Sequence, residues 1–232
     1  MRNVLIIIFM VLLTACSQGN KKLQEENIKA LSCVEKKSLT FNNADFYTNG
    51  KFNEEAAKDA IISLMMYYNY PVGVKTRSQL WVSDYGTGRF TEVGLAAIMY
   101  ANDTKDLYML QDLFLLPNQM LPEHWHEKPE DFPAKMEGWL VRNGSSYIVG
   151  EGEDNLASFP DIKIPAAHEG GVTVKNVILA CPGDFVPLSK VLSHHWQFAG
   201  KDGAIISEVA NVHANEAVRH QVKSINDFFL GK

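Results

Sequence analysis

Cysteine is scarce in this chain. Three among 232 residues leave no multi-disulfide scaffold and no four-thiolate metal site. A dominant charge is missing too. Lys and Arg number 22 against 27 Asp and Glu, a net charge of -5 at pH 7, and so mildly acidic a chain is a poor partner for nucleic acid or an anionic lipid surface. No internal repeat or low-complexity block is visible. Long apolar runs reduce to one, residues 4–13 (VLIIIFMVLL). It falls short of the roughly 20 residues that cross a bilayer comfortably. What remains is an ordinary globular balance, 46% hydrophobic and 21% charged, which excludes wholesale disorder. The length suits one domain with an N-terminal extension, and a core of that size needs no disulfide staples.

Arg2 precedes the apolar run, which reads as the h-region of a signal peptide. The run leads into Leu13-Thr14-Ala15-Cys16, which resembles the bacterial lipobox, whose Cys is lipidated and becomes the new N-terminus. Ser17 after it resembles the signal for outer-membrane retention. The expected organisation is a signal peptide over 1–15, a polar tether and irregular segment over 16–50 with one short helix near 22–33, and a folded domain over 51–232. The expected location is the bacterial cell envelope, in the outer membrane facing the periplasm, with the membrane contacted through the lipid on Cys16 only. Disulfides are permitted there, so Cys33 and Cys181 either pair or remain two buried thiols.

The body opens with a helical pattern over 53–69. Asn53 can cap it, Glu54 and Glu55 suit its positive first turn, and Ala57, Ile61, Leu64, Met65 and Tyr68 fall on one face. After Pro71, short β-rich runs alternate with turn residues: 80–82, 93–100, 107–116, 119–126, 138–142, 147–150, 172–180, 185–188, 196–198 and 204–209. Many short strands broken by Gly, Pro, Asn and Asp predict a mainly β fold, best a double-sheet jelly roll with a funnel-shaped interior for a small ligand.

The chemistry concentrates in histidine. On a strand, alternate side chains share a face, so His124 and His126 of His-Trp-His can both point inward, half of a transition-metal site. The plainer alternative is two surface histidines on an edge strand. Glu137 begins a later run and Gly144 follows it after six residues; Pro182-Gly183-Asp184 precedes Ser193-His194-His195-Trp196. These features resemble the two cupin motifs. The resemblance implies a cupin barrel (a double-stranded β-helix) with an N-terminal helix, and His124, His126, Glu137 and His195 as ligands of one divalent ion with two adjacent positions open. Glu130 and Asp131 compete with Glu137 at a shorter spacing but sit in a Pro-bounded loop, and Gly144 favours Glu137. His194 competes with His195, which the following aromatic stretch favours. His168, in a Gly-rich loop, is expected to face solvent. His213 and His220 fit a cavity edge or the surface equally.

One cupin group is similar over a longer stretch, from about residue 53 to about 215 with insertions: the D-lyxose isomerase family. Ser83-Asp84-Tyr85-Gly86-Thr87-Gly88 is similar to its Asp-Phe-Gly-x-Gly segment. Residues 108–126 can be laid along it without a gap, Lys135-Met136-Glu137 matches a triplet whose Glu is a metal ligand, and Ser207-Glu208-Val209 is similar to a segment whose Glu is a proposed acid/base. The resemblance implies a metal-dependent aldose–ketose isomerase, most naturally with Mn2+, acting on a free sugar such as D-lyxose/D-xylulose or D-mannose/D-fructose. It implies Glu208 as the catalytic acid/base, and cupins often pair as homodimers. The chain departs from that family in a loop over 127–134, a long loop over 151–171, and Gln111, which stands where the family carries a Lys. Gln cannot carry a proton, so Gln111 is a candidate for binding substrate; Arg219, in the C-terminal segment, is a candidate to contact substrate oxygens, with a surface ion pair as the commoner alternative. Trp125, Trp139, Trp196, Trp81 and Phe90 could stack on a sugar but more commonly pack a core. The competing functions are a non-catalytic cupin sugar-binding lipoprotein, told apart by binding without product, and a cupin dioxygenase, told apart by oxygen consumption.

Overall fold

Asn53 ends an extended segment and its side-chain oxygen accepts from Ala56 N at 3.2 Å, which starts helix α1, Glu54–Tyr67. Glu54 and Glu55 occupy its first turn. Ala57, Ala60, Ile61, Leu64 and Met65 form its buried face. The expected helix is therefore present, with its cap and apolar stripe. The computed structural model describes residues 39–232. The apolar run, Cys16, Cys33 and the expected helix near 22–33 lie outside the described residues.

The folded unit begins at Leu39, earlier than the expected boundary at 51. The reason is apolar: Phe46 is 2% exposed and packs against the α1 cluster, and Phe41 and Phe52 join it. Between them, β1 (Tyr47–Thr48) and β2 (Lys51–Phe52) form a hairpin across Asn49-Gly50, both at positive φ, as a two-residue turn of this sequence requires.

The remaining elements are helix α2 (Thr76–Gln79), strands β3 (Trp81–Ser83), β4 (Leu95–Asp103), β5 (Tyr108–Leu115), β6 (Met120–His126), β7 (Glu137–Gly150), β8 (Asn176–Ala180), β9 (Phe185–Pro187), β10 (His195–Ala210) and β11 (Val218–His220), and helix α3 (Lys223–Phe229). Strands β3 to β11 make one antiparallel sheet in the order β11-β6-β10-β5-β4-β3, with β7 pairing β10, β8 and β9. Four of the expected short strands fuse into two long ones, β7 and β10, which pair with each other on both sides of a bulge. Pairing lapses between Ala199 and Ala204, where residues 200–203 of β10 bulge opposite Ser145, next to Gly144. Gly144 has φ +70, and a Cβ there would lie 2.0 Å from the Gly203 carbonyl oxygen, so the crossing admits only glycine.

That bend rolls the sheet. His195 adjoins Trp196, which pairs with Val149 near one end of β7, while Glu137 begins the other end. A straight strand at about 3.3 Å per residue would hold those ends about 40 Å apart. Instead His195 Nε2 lies 3.3 Å from Glu137 Oε1. The expected jelly-roll barrel is thus a sheet curled back on itself. Alternation explains the continuous apolar runs. Leu95, Ala97, Leu113, Leu115, Ala204 and Ile206 face the barrel interior. Ala96, Ile98, Phe114, Leu116 and Ile205 face outward and are covered by α1. A strand buried on both faces shows no period-two polarity. Among the described residues no helix is long and apolar enough to cross a membrane.

Candidate active site

The rolled sheet encloses a cavity of 360 Å³ whose lining includes His124, His126, Lys135, Glu208, Gln111 and His220. Strand register places the imidazoles. His124 on β6 stands opposite His195 on β10, and His126 follows two residues along the same face. The ligand atoms of His124, His126 and His195 lie within 4.8 Å of one another, and all three residues are buried.

Glu137 joins them from β7. Its Oε1 is 3.2 Å from His126 Nε2 and 3.3 Å from His195 Nε2. Despite those distances none of the three atoms meets a partner in full hydrogen-bond geometry. Buried polar atoms seldom remain unpaired. Three imidazole donors within 4.8 Å of one another, with the Glu137 carboxylate beside two of them, could surround an ion. Neighbouring donors on bonds of about 2.1 Å stand about 3.0 Å apart at right angles and about 3.4 Å apart in a tetrahedron, so the spacing fits one ion. The tautomers fit as well. His124 Nδ1 and His195 Nδ1 lie 2.9 and 3.0 Å from the carbonyl oxygens of Pro122 and Ser193. An N–H donated there leaves Nε2 bare as a ligand. Burial pushes His126 down to about 3 and lowers His124 and His195, so the rings are neutral near pH 7, the form that coordinates.

A second set of groups adjoins the first. Lys135 Nζ bridges Glu137 Oε2 at 2.7 Å and Glu208 Oε1 at 2.6 Å, and lies 3.3 Å from His213 Nδ1. Burial would lower the Lys135 pKa, but the two carboxylates outweigh it and raise it. Burial likewise pushes Glu137 up, yet Lys135, His126 and His195 hold it well below the usual carboxylate range. Glu208 behaves oppositely. Burial dominates, the Glu137 charge adds to it, and together they outweigh Lys135 to push Glu208 up to about 7. Trp139 Nε1 donates to Glu208 Oε2 at 3.4 Å and fixes its orientation. Two carboxylates bridged by one cation thus stand apart, one held acidic and the other pushed near neutrality.

Gln111 lines the cavity opposite Glu208 in the β5–β10 register. Arg219 does not line it, which corrects the expected substrate contact. It sits between Val218 and His220 on β11, so alternation turns it outward, where it pairs with Glu127 at 2.8 Å. His194 also turns away from the four donors, stacking on Trp125 at 4.3 Å with Nδ1 3.0 Å from Glu123 Oε1. Expected to face solvent, His168 is instead 0% exposed, because its Nε2 accepts from Glu123 N at 3.1 Å. Cys181 is exposed and unpaired among the described residues, against the expectation of a buried thiol. Trp196 and Phe90 are core residues, whereas Trp81 lines the cavity. Sequence reasoning missed the role of Lys135. The signal was faint: Lys135 stands two positions before Glu137, just ahead of the start of β7.

No family model matches the chain. Curated relatives do. The chain is 32% identical over 143 residues to a D-lyxose/D-mannose isomerase of Thermosediminibacter oceani, covering 62% of this chain and 76% of the relative. It is 29% identical over 160 residues to a D-lyxose ketol-isomerase of Cohnella laeviribosi, covering 69% and 85%. Among solved structures, L-ribose isomerase of Cellulomonas parahominis superposes with a TM-score of 0.60 at 14% identity, over 80% of this chain and 97% of that one. That likeness establishes the shared cupin-like fold, and the sequence match over three quarters of the first relative establishes the kinship: this chain belongs to the D-lyxose/D-mannose isomerase family.

Proposed function

We propose that the protein is a metal-dependent aldose–ketose isomerase acting on a free open-chain sugar such as D-lyxose/D-xylulose or D-mannose/D-fructose. The observation that carries this is the adjacency of two sets of groups in one buried cavity: three clustered imidazoles with the Glu137 carboxylate beside two of them, and a carboxylate raised to about 7 tied to Glu137 through Lys135. The names of the relatives support it.

His124, His126, His195 and Glu137 would hold the ion; three imidazoles and a carboxylate accept Mn2+, Fe2+, Co2+, Ni2+ or Zn2+, and Mn2+ is our choice on the resemblance to the D-lyxose isomerase family. The chemistry supplied by a bound divalent ion is Lewis-acid polarisation of the carbonyl and its neighbouring hydroxyl. The transfer itself falls to the chain. Glu208 takes the proton from C2 of the aldose and returns it to C1, while the hydroxyl proton of O2 passes to O1. Atoms balance, and the carbonyl moves from C1 to C2. A carboxylate near 7 is matched to accepting and releasing a proton close to neutral pH. Lys135, 2.6 Å from Glu208, supplies a fixed positive charge beside the oxygen atoms on which negative charge develops. Trp139 and the apolar residues of the barrel exclude water from the exchange.

The test is an anaerobic aldose panel on purified protein with added Mn2+, with products resolved by chromatography. Ketose appearing as aldose disappears is the expected result. Sugar binding without product would leave a binding module, and turnover only with oxygen uptake would leave a dioxygenase. We further infer a lipid-anchored location at the cell envelope, supported by the apolar run and Leu13-Thr14-Ala15-Cys16. Mass spectrometry of the mature N-terminus tests it.

A further inference from the structure

The reaction engages two sugar carbons, and the cavity has a further wall that this chemistry does not use. Strand β11, the turn after β3 and helix α3 build it. His220 stands directly opposite His124 in the β6–β11 register, so both rings face inward. The His220 side chain belongs to a residue only 4% exposed, yet neither Nδ1 nor Nε2 meets a partner in full hydrogen-bond geometry, although the Glu123 backbone lies near enough to act on the ring. An imidazole offers one donor and one acceptor, and leaving both buried and unpaired requires an explanation. The backbone is not at fault: His220 N donates to Asn226 Oδ1 at 2.9 Å, which anchors the strand and aims the ring.

Tyr85 forms the other half of the wall. Its φ of 54 lies in the left-handed region, which bulky L residues rarely adopt. The turn that imposes this conformation is over-determined. Asp84 Oδ1 accepts from Gly86 N at 2.9 Å and its Oδ2 from Gly88 N at 3.2 Å. A Cβ on Gly86 would lie 2.5 Å from the Phe228 ring of α3, so the helix is seated hard against the turn. Strain maintained by this many contacts beside a cavity is characteristic of functional positions. It delivers the Tyr85 ring to 5.1 Å from His220, with Phe229 also 5.1 Å from His220.

We propose that His220 and Tyr85 form a substrate-positioning subsite that hydrogen-bonds hydroxyl groups of the sugar remote from the reacting carbons and so selects among epimers, an inference that rests on the isomerase function. Epimers carry the same groups in different directions. An apolar wall barely separates them, whereas fixed hydrogen-bonding partners do, because the wrong epimer leaves those partners unpaired. His220 and Phe229 lie beyond residue 215, so the match to the family's motifs does not speak for them.

D-Lyxose and L-ribose differ only at C4 and provide the test. His220→Phe is expected to raise KM for the better of the two about tenfold, the cost of one neutral hydrogen bond, with a smaller fall in kcat. The ratio of kcat/KM between the sugars should collapse toward one, and His220→Asn should restore part of it. Bound metal and the thermal midpoint, measured on the same samples, report folding. Should His220→Phe fail to fold, Tyr85→Phe carries the same comparison, since it removes only a hydroxyl. A folded, metal-loaded variant with unchanged KM and unchanged epimer ratio overturns the proposal. Xylitol, an open-chain polyol that cannot isomerise, separates the two claims. Titrated into metal-free wild-type protein, it should shift the ring nitrogen resonances of His220. A shift with no turnover of any aldose would sink the isomerase function and keep the subsite; turnover with no shift would do the reverse.

Discussion

Replacing Glu208 by Gln removes one ionisable carboxyl at almost constant volume from a position only 4% exposed. Burial, with the Glu137 charge, lifts that carboxyl from 4.5 to about 7 against the pull of Lys135. Between those values the folded chain holds a proton that the unfolded chain has already released. Stability therefore declines as pH rises through the window, and the full loss is present above the folded value. The displacement corresponds to about 3 kcal/mol. Gln does not titrate, so the variant escapes this loss. Urea melts of metal-free wild type and Glu208→Gln should show the variant gaining about 3 kcal/mol relative to wild type between pH 4 and pH 8. The buried histidines titrate in the opposite sense, His126 at about 3 and His213 at about 4, but both proteins contain them and they cancel in the difference. A difference independent of pH, or one that shrinks as pH rises, would refute the electrostatic account. In metal-loaded protein the same substitution should keep the ion and lower kcat by at least about 100-fold. Full turnover in a metal-loaded Glu208→Gln protein would remove this residue from the mechanism.

Other consequences are simpler to measure. Gly144→Ala forces a left-handed L residue and drives a Cβ against the Gly203 carbonyl; the expected cost is about 3 kcal/mol in a urea melt, and a loss below about 1 kcal/mol would contradict the tight crossing of β7 and β10. His126→Ala should cut bound metal per chain, measured by elemental analysis, together with turnover; full metal loading would mean the ion sits elsewhere. Arg219→Ala should leave kcat/KM within about twofold, because the side chain faces Glu127 rather than the cavity; a larger loss would restore it to the substrate site.

Local signals carried much of the architecture. Asn53, the acidic pair after it and the spacing of Ala57, Ile61 and Leu64 describe α1 before any contact is known, because capping and periodicity act within a few residues. The strands announced themselves by composition, but their continuity did not. Breaks were expected within 143–146 and 199–203, where Gly and Ser interrupt the apolar texture. There β7 and β10 run on through a bend, because each is held by the other across it. Strand β11 and helix α3 escaped notice because three residues and seven carry too little period to read. His168 was misjudged for a related reason: Gly-rich neighbours describe a loop, but the Glu123 amide that buries the ring lies 45 positions away.

The sequence alone determined which chemistry was available. Strand alternation puts the two imidazoles of His-x-His on one face, and the resemblance to the cupin motifs and to the Lys-Met-Glu triplet adds His195 and Glu137 to the donor set. Tertiary structure decided everything that depends on distance through space: that Lys135 bridges two carboxylates 71 positions apart in the chain, that Glu208 is raised while Glu137 is lowered, and that His220 rather than Arg219 looks into the cavity. The physical reason is that pKa values and unpaired atoms are set by desolvation and by charges within a few ångströms, and those neighbours are assembled only when the sheet rolls at Gly144.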